Sequence, residues 1–350
     1  MLKRLFFLAV LMLSAAAIIL TGGCLNNILP RVEETEEGEV TLPEEAYEEK
    51  VEEKQGELIV PEGMLPLQLY FMEEQTGYLV PVTVFVPWTE SIARTSLEKL
   101  VKGPTPGQEM IYGFRALLPP TTEIQGLTIR EGRAYVDFNQ AFLNYDPEQE
   151  RNVLNSIIFT LLQFATVDEV EFWVNGETLE TFPGGTPGRN PFGRERGVNL
   201  QVDEGLEDFQ QTTLVTLYFC MALGDHEIFY VPISRVLSGE QDLLEASLKE
   251  LIQGPRQGTS LFSDLPTNTV VKEANIHGTI ATVSLSKELL NYQGGRTGEE
   301  NIKNQLVLTL TEIPGVENVQ VQVEGEPVIL TYNTSLLDPI PRPLIINPVK

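Results

Sequence analysis

The side chains that could do chemistry are few, and they do not converge. Two histidines are present, His226 and His277, both in turn-like settings. His226-Glu227 lacks the second histidine, one helical turn on, that a zinc-binding helix needs. The two cysteines, Cys24 and Cys220, are 196 positions apart and form no paired metal motif. There is no glycine-rich phosphate loop and no Gly-x-Ser-x-Gly elbow. Carboxylates abound, but they crowd one N-terminal stretch or scatter over polar faces, and a working acid or base needs positioned partners. A lone acid such as Asp137 reads as a solvated strand residue. The sequence therefore predicts no enzyme, no metal, no cofactor and no small-molecule substrate. The polar residues that recur are Asn144-Tyr145 and Asn291-Tyr292. They are candidate interface residues. They can also be read as architecture, with Asn in a left-handed turn at a strand exit and Tyr covering a helix start. Trp173 is a further interface candidate, because Gln322 stands in its place in the second of two copies; Trp88 likewise has no counterpart.

Those copies are the chain's main feature. Leu97-Glu98-Lys99-Leu100-Val101-Lys102-Gly103-Pro104 returns 151 positions later as Leu248-Lys249-Glu250-Leu251-Ile252-Gln253-Gly254-Pro255. Leu118-Pro119, Phe142 to Tyr145 and Val170 to Glu177 recur in the same order as Leu265-Pro266, Leu289 to Tyr292 and Val319 to Glu326. A period near 150 residues is too long for a solenoid and suits a duplicated module. Within each copy, an apolar stripe (Ala93, Leu97, Leu100, Val101; Leu244, Leu248, Leu251, Ile252) predicts a helix capped by Ser91 or Asp242 and stopped by Gly-Pro. A two-residue period with a glycine turn predicts a hairpin through Ala134, Val136 and Phe138, and again through Ala281, Val283 and Leu285. A second stripe (Val153, Ile157, Leu161, Phe164; Ile302, Leu306, Leu310, Ile313) predicts a second helix, with Thr160/Thr309 and Asn155/Asn304 repeated along its edges. The expected fold is α+β: two tandem modules, each with two helices on one face of a mostly antiparallel sheet.

The chain is 350 residues long with a formal charge of −26, which argues against nucleic acid or an anionic membrane surface as partner. Residues 1–24 read as an export signal: Lys3 and Arg4, a 16-residue apolar run, then Thr21-Gly22-Gly23-Cys24. The run is short for a membrane span. It resembles a bacterial lipoprotein signal, which implies lipidation of Cys24 and an anchored body on the extracytoplasmic face of the cell membrane. Residues 25–66 are glutamate-rich and read as a disordered, self-repelling spacer. The modules are expected at 67–177 and 212–330, joined by a Pro/Gly-rich linker at 178–211 in which Phe182, Phe192 and Val198 hint at docking. A proline-rich tail occupies 331–350, and its last residues, Asp338 to Lys350, are expected to run extended over the surface. Buried in an apolar strand, Cys220 reads as a small hydrophobe and not a reactive thiol.

Together, the helix ending in Gly-Pro, the Leu-Pro step, the glycine-turned hairpin, the Asn-Tyr pair and the closing Val-x-x-Val stretch resemble the GerMN domain, the sporulation and germination module of the GerM family. The resemblance covers about two thirds of the chain. It implies a lipoprotein scaffold in endospore-forming bacteria that assembles or stabilises a channel complex between mother cell and forespore, partnered by ring or channel proteins or by copies of itself. Related ring-building modules share a small α+β fold. A second reading is an envelope-binding module that recognises peptidoglycan or another wall ligand.

Overall fold

Each module opens on a long antiparallel hairpin that its own sequence dictates. Leu67, Leu69 and Phe71 line one buried face of the first strand, Tyr70 and Met72 are buried on its other face, and Val80, Val82 and Val86 continue the apolar pattern on the second. The computed structural model describes residues 60–203 and 211–349. Cys24, the apolar run before it and nearly all of the acidic spacer lie outside them. In the first module the elements run β1 (Met64–Glu73), β2 (Leu79–Pro87), α1 (Ile92–Lys102), α2 (Pro106–Tyr112), β3 (Phe114–Arg115), β4 (Ile124–Arg130), β5 (Arg133–Phe138), α3 (Glu150–Leu161), β6 (Glu169–Val174) and β7 (Glu177–Thr178). After β8 (Gln201–Val202) the second module repeats them: β9 (Thr212–Leu223), β10 (Glu227–Ser238), α4 (Leu243–Gln253), β11 (Val271–His277), β12 (Ile280–Leu285), α5 (Gly295–Leu310), β13 (Asn318–Val323), β14 (Glu326–Pro327) and β15 (Ile340–Pro341). Among the described residues, α2 and β3 have no counterpart element between α4 and β11.

The α+β class is as expected, and the strands divide into two sheets per module. One is the hairpin, ordered β2-β1-β3 in the first module; the other is ordered β4-β5-β6-β7. In the second sheet β4 and β5 are antiparallel while β5 and β6 are parallel, so α3 is the crossover that a parallel pair requires. The same holds for β11, β12, α5 and β13. Both helices sit between the sheets with their stripes inward: Leu97 and Leu100 on α1, and Val153, Ile157 and Leu161 on α3, are fully buried. Phe138, Phe142 and Phe172 stack beneath the second sheet at centroid separations of 4.4 to 6.3 Å. Cys220 is fully buried on β9, and burial pushes its thiol far up, as a small hydrophobe should be.

The two helix starts differ from the expected symmetry. Asp242 caps α4, its carboxylate accepting from Glu245 N at 2.9 Å. Ser91 makes no side-chain cap on α1; its φ of −98° and ψ of 43° leave the extended region from which a cap reaches the helix N–H groups. Both helices stop at a glycine with positive φ, Gly103 at 75° and Gly254 at 86°; a Cβ on Gly103 would lie 2.7 Å from that of Ala116.

What reads as linker and tail is one element written twice. Pro191-Phe192, Arg194 and Val198-Asn199 match Pro339-Ile340, Arg342 and Ile346-Asn347, each 148 positions on. Phe192 bridges Val170 on β6 as Ile340 pairs with Val319 on β13. The expected surface course holds through Leu344, which is 76% exposed, but not at the end of the tail, where Ile346 and Asn347 are 3% and 4% exposed. They are buried because each arm crosses to the other module. Val198 exchanges hydrogen bonds with Ser234 on β10, and Ile346 with Thr83 on β2, all at 2.6 to 3.1 Å. Both modules consequently lie in a single compact unit.

Candidate functional site

The predicted interface residues go to three different places. Tyr145 and Tyr292 turn inward at the starts of their helices. The Tyr145 hydroxyl donates to Glu150 at 3.0 Å, and that carboxylate also accepts from Gly184 N and, at 2.9 Å, from Thr186 N. Glu299 repeats the arrangement, accepting from the Tyr292 hydroxyl, from Tyr332 N at 2.6 Å and from Thr334 N at 3.1 Å. Glu150 and Glu299 are 3% and 0% exposed. Burial alone would raise these carboxyls, but the converging donors hold both below their usual range. Each tyrosine is thus the support of a buried acid that ties its helix start to the following loop. Asn144 and Asn291 are exposed, and Asn144 has φ −89°, ψ 30°, not the left-handed turn expected of it.

A second cluster, not anticipated from the sequence, lies on the seam between the hairpins. Asn199 accepts from Leu79 N and donates to Leu79 O and Pro232 O, all at 2.8 Å. Asn347 accepts from Tyr230 N at 2.7 Å and donates to Tyr230 O and Pro81 O at 2.9 and 2.7 Å. The two sets are related by a pseudo-twofold axis: each asparagine grips its own hairpin and the proline carbonyl of the other. Proline has no N–H, so β2 and β10 cannot pair continuously across the seam, and the amides supply the missing donors. Both asparagines hold positive φ, 49° and 51°. The signal was available as the 148-residue match of the arms, hidden by their dissimilar composition.

Beside the clamps, Arg194 and Arg342 converge on Glu312. Arg342 donates to Glu312 and to the Tyr218 hydroxyl at 2.7 and 2.8 Å, and Arg194 reaches the other Glu312 oxygen at 2.9 Å. Burial would raise the Glu312 carboxyl; Arg342 and then Arg194 hold it below its usual range. Tyr70, buried next to the same carboxylate, is pushed up to about 12 by burial and then by that charge. The cluster borders a cleft of about 360 Å³, but its charged groups bond one another and read as a lock. On the far side of the seam the Tyr112 and Phe229 rings lie 5.2 Å apart, and the Tyr112 hydroxyl donates to Glu227 at 2.7 Å.

Trp173 stands apart from both clusters, half-buried on the outer face of the β4-β5-β6 sheet, its Nε1 donating to Glu171 at 2.8 Å. Trp88 is 65% exposed and so is not local core. Among the described residues no group of three or more His, Cys, Asp or Glu could hold a metal ion, and no helix is long and apolar enough to cross a membrane.

The duplicated geometry has a direct parallel. A family model described as "Germane: Sporulation and spore germination" matches twice, at residues 68–180 and 216–329. The chain belongs to the Germane family. The spore germination protein GerM of Bacillus subtilis (strain 168) is 32% identical over 286 residues, covering 80% of this chain and 77% of that protein. The solved tandem GerMN domains of the sporulation protein GerM from Bacillus subtilis superpose with a TM-score of 0.71 at 30% identity, covering 82% of this chain and all of that one. The Germane matches end before the crossing arms, so Arg194, Asn199, Arg342 and Asn347 all fall outside the matched stretches although the arms repeat with the modules.

Proposed function

We propose that this Germane protein is a non-enzymatic, membrane-tethered scaffold of sporulation and germination, which assembles or stabilises an envelope channel complex between mother cell and forespore. The observation that carries the reading is the locked pair of modules in a chain of this family. A single body with two related but diverged modules presents two different faces at a fixed spacing, as a part that joins neighbours in an assembly must. In this proposal Cys24 is acylated, the anchor is lipid, and the body faces away from the cytoplasm at the reach of the acidic spacer. Its partners are channel or ring proteins, or further copies of the chain.

Crosslinking in sporulating cells followed by affinity purification tests the scaffold. Co-purification with a membrane complex is expected, and a strictly monomeric, partnerless chain would overturn the reading. The anchor is tested separately: Cys24→Ala should abolish metabolic labelling with fatty acid and release the protein from membranes, whereas unchanged labelling would contradict the assignment.

A further inference from the structure

The outer faces of the two second sheets can be laid over one another by strand register. In the first module the rows across β4, β5 and β6 read Gly126-Asp137-Trp173, Thr128-Tyr135-Glu171 and Arg130-Arg133-Glu169. In the second, across β11, β12 and β13, they read Glu273-Ser284-Gln322, Asn275-Thr282-Gln320 and His277-Ile280-Asn318. None of the nine positions is kept, although the buried faces of the same strands remain aliphatic or aromatic. In the second module Gln320 is 9% exposed and donates to Leu336 O of the following loop. In the first, Gly126 leaves a gap beside Asp137, and the face hollows into a groove of about 230 Å³ lined by Gly126, Thr128, Arg130, Tyr135, Asp137 and Trp173.

The chemistry of that groove is specific. Trp173 and Tyr135 supply aromatic surface, with the Arg130 guanidinium 4.4 Å from the Tyr135 ring centre. Asp137 commits one oxygen to Gly176 N at 3.0 Å, leaving the other for a ligand. Arg133 is neutralised by Glu169 and Glu171 at 2.8 and 3.2 Å. The groove lining itself therefore offers aromatic rings beside one carboxylate, Asp137, and one guanidinium, Arg130, while Glu169 and Glu171 on the same face share Arg133. That selects a neutral, polyhydroxylated ligand whose C–H face lies on a ring while its hydroxyl and amide groups meet planar polar side chains. A polyanion would be repelled by a chain of charge −26. A protein partner needs roughly 800 Å² of complementary surface with an apolar centre, and glycine, threonine and charged side chains occupy much of this face.

We infer that the outer sheet face of the first module is a saccharide-binding groove for a glycan strand of N-acetylated hexosamines, the polymer of bacterial walls. Trp173 is the stacking platform, Tyr135 its second wall, and Asp137 and Arg130 the hydrogen-bonding pair; the second module has no such site. The inference shares only the extracytoplasmic placement with the scaffold proposal, and the two fail separately, one in a binding assay with wall material and the other in crosslinking to protein.

The test uses the full chain in detergent micelles. Trp173→Gln installs the residue that the second module already carries at the corresponding position, and it should leave thermal unfolding unchanged. Co-sedimentation with purified peptidoglycan sacculi should retain the parent chain and bind Trp173→Gln at least about tenfold more weakly, as loss of a central aromatic anchor predicts. Asp137→Asn should weaken retention in the same direction. In a Trp88→Phe background, where Trp173 is the remaining tryptophan, chitohexaose should shift its emission saturably. The inference is overturned if sacculi do not retain the chain, if they retain Trp173→Gln equally well, or if chitohexaose leaves the Trp173 emission unmoved. Loss of a protein crosslink in Trp173→Gln with sacculus binding intact would overturn it too, by making the face a protein-docking surface.

Discussion

At the residue scale, the repeated tyrosines earn their place through buried acids that the sequence conceals. Tyr145 lies five residues before Glu150 and Tyr292 seven before Glu299, so an alignment that matches the tyrosines puts the glutamates out of step. The Asn-Tyr pair was therefore legible as a repeat while its partner was not. Replacing a carboxylate that accepts from several buried donors leaves at least one donor unpaired, at a cost of about 1–3 kcal/mol. Glu299→Gln and Glu150→Gln should each lower the unfolding free energy by that amount in urea titrations; a loss below about 0.5 kcal/mol would show that solvent replaces the carboxylate. Tyr292→Phe, which removes one donor and leaves the carboxylate with two backbone N–H groups, should cost less than Glu299→Gln. The pH dependence follows from the same groups. Glu150, Glu299 and Glu312 all titrate below their usual 4.5 in the folded protein. Their contribution is complete above 4.5 and lost as the pH falls through the lower folded values. Stability followed by urea midpoint should thus be insensitive to these groups between pH 7 and 5 and fall steeply below 4.5, less steeply in Glu299→Gln.

At the element scale, the helices and hairpins were legible because each has one buried face and its period shows. The division into two sheets was not, since no residue in β2 or β4 marks which strand it pairs with; pairing is settled by α1 and α3 filling the space between. The helix edges also required structure. Thr160 and Thr309 accept from Tyr70 N and Tyr218 N at 3.1 and 3.0 Å, bonding each second helix to the first strand of its hairpin. Asn155 holds the first arm through Gly197 O and Arg196, whereas Asn304 meets the Tyr230 hydroxyl. One repeated residue type has thus acquired two tasks. The caps diverged similarly. Asp242→Ala removes a formed cap and should destabilise by about 1 kcal/mol, whereas Ser91→Ala should change stability by less than about 0.5 kcal/mol. Thermal melts of the two variants check this, and equal losses would mean that Ser91 caps α1 in solution.

At the scale of the whole molecule, duplication has produced one body and not two beads. The arms were read as linker and tail because proline and glycine dominate them, and composition says nothing about what a segment packs against. The answer lies in Val198-Asn199 and Ile346-Asn347, whose hydrogen bonds cross to residues more than 30 and more than 260 positions away. Because each arm holds the opposite module, losing either one should loosen both. Removing residues 345–350 frees Thr83 and Pro81 on the first module as well as Tyr230 on the second, so the truncated chain should unfold earlier by calorimetry and in two transitions where the intact chain unfolds in one. The sharper test is a double-mutant cycle. Asn199→Ala and Asn347→Ala should each cost on the order of 2 kcal/mol, from buried backbone groups left without partners. If the pseudo-twofold seam is one cooperative unit, the second substitution costs less once the first has opened it, and the coupling reaches about 1 kcal/mol or more. Strict additivity would instead mean that the two clamps act independently, and that the seam is held by the Tyr112-Phe229 contact and the Arg194-Glu312-Arg342 lock on either side of them.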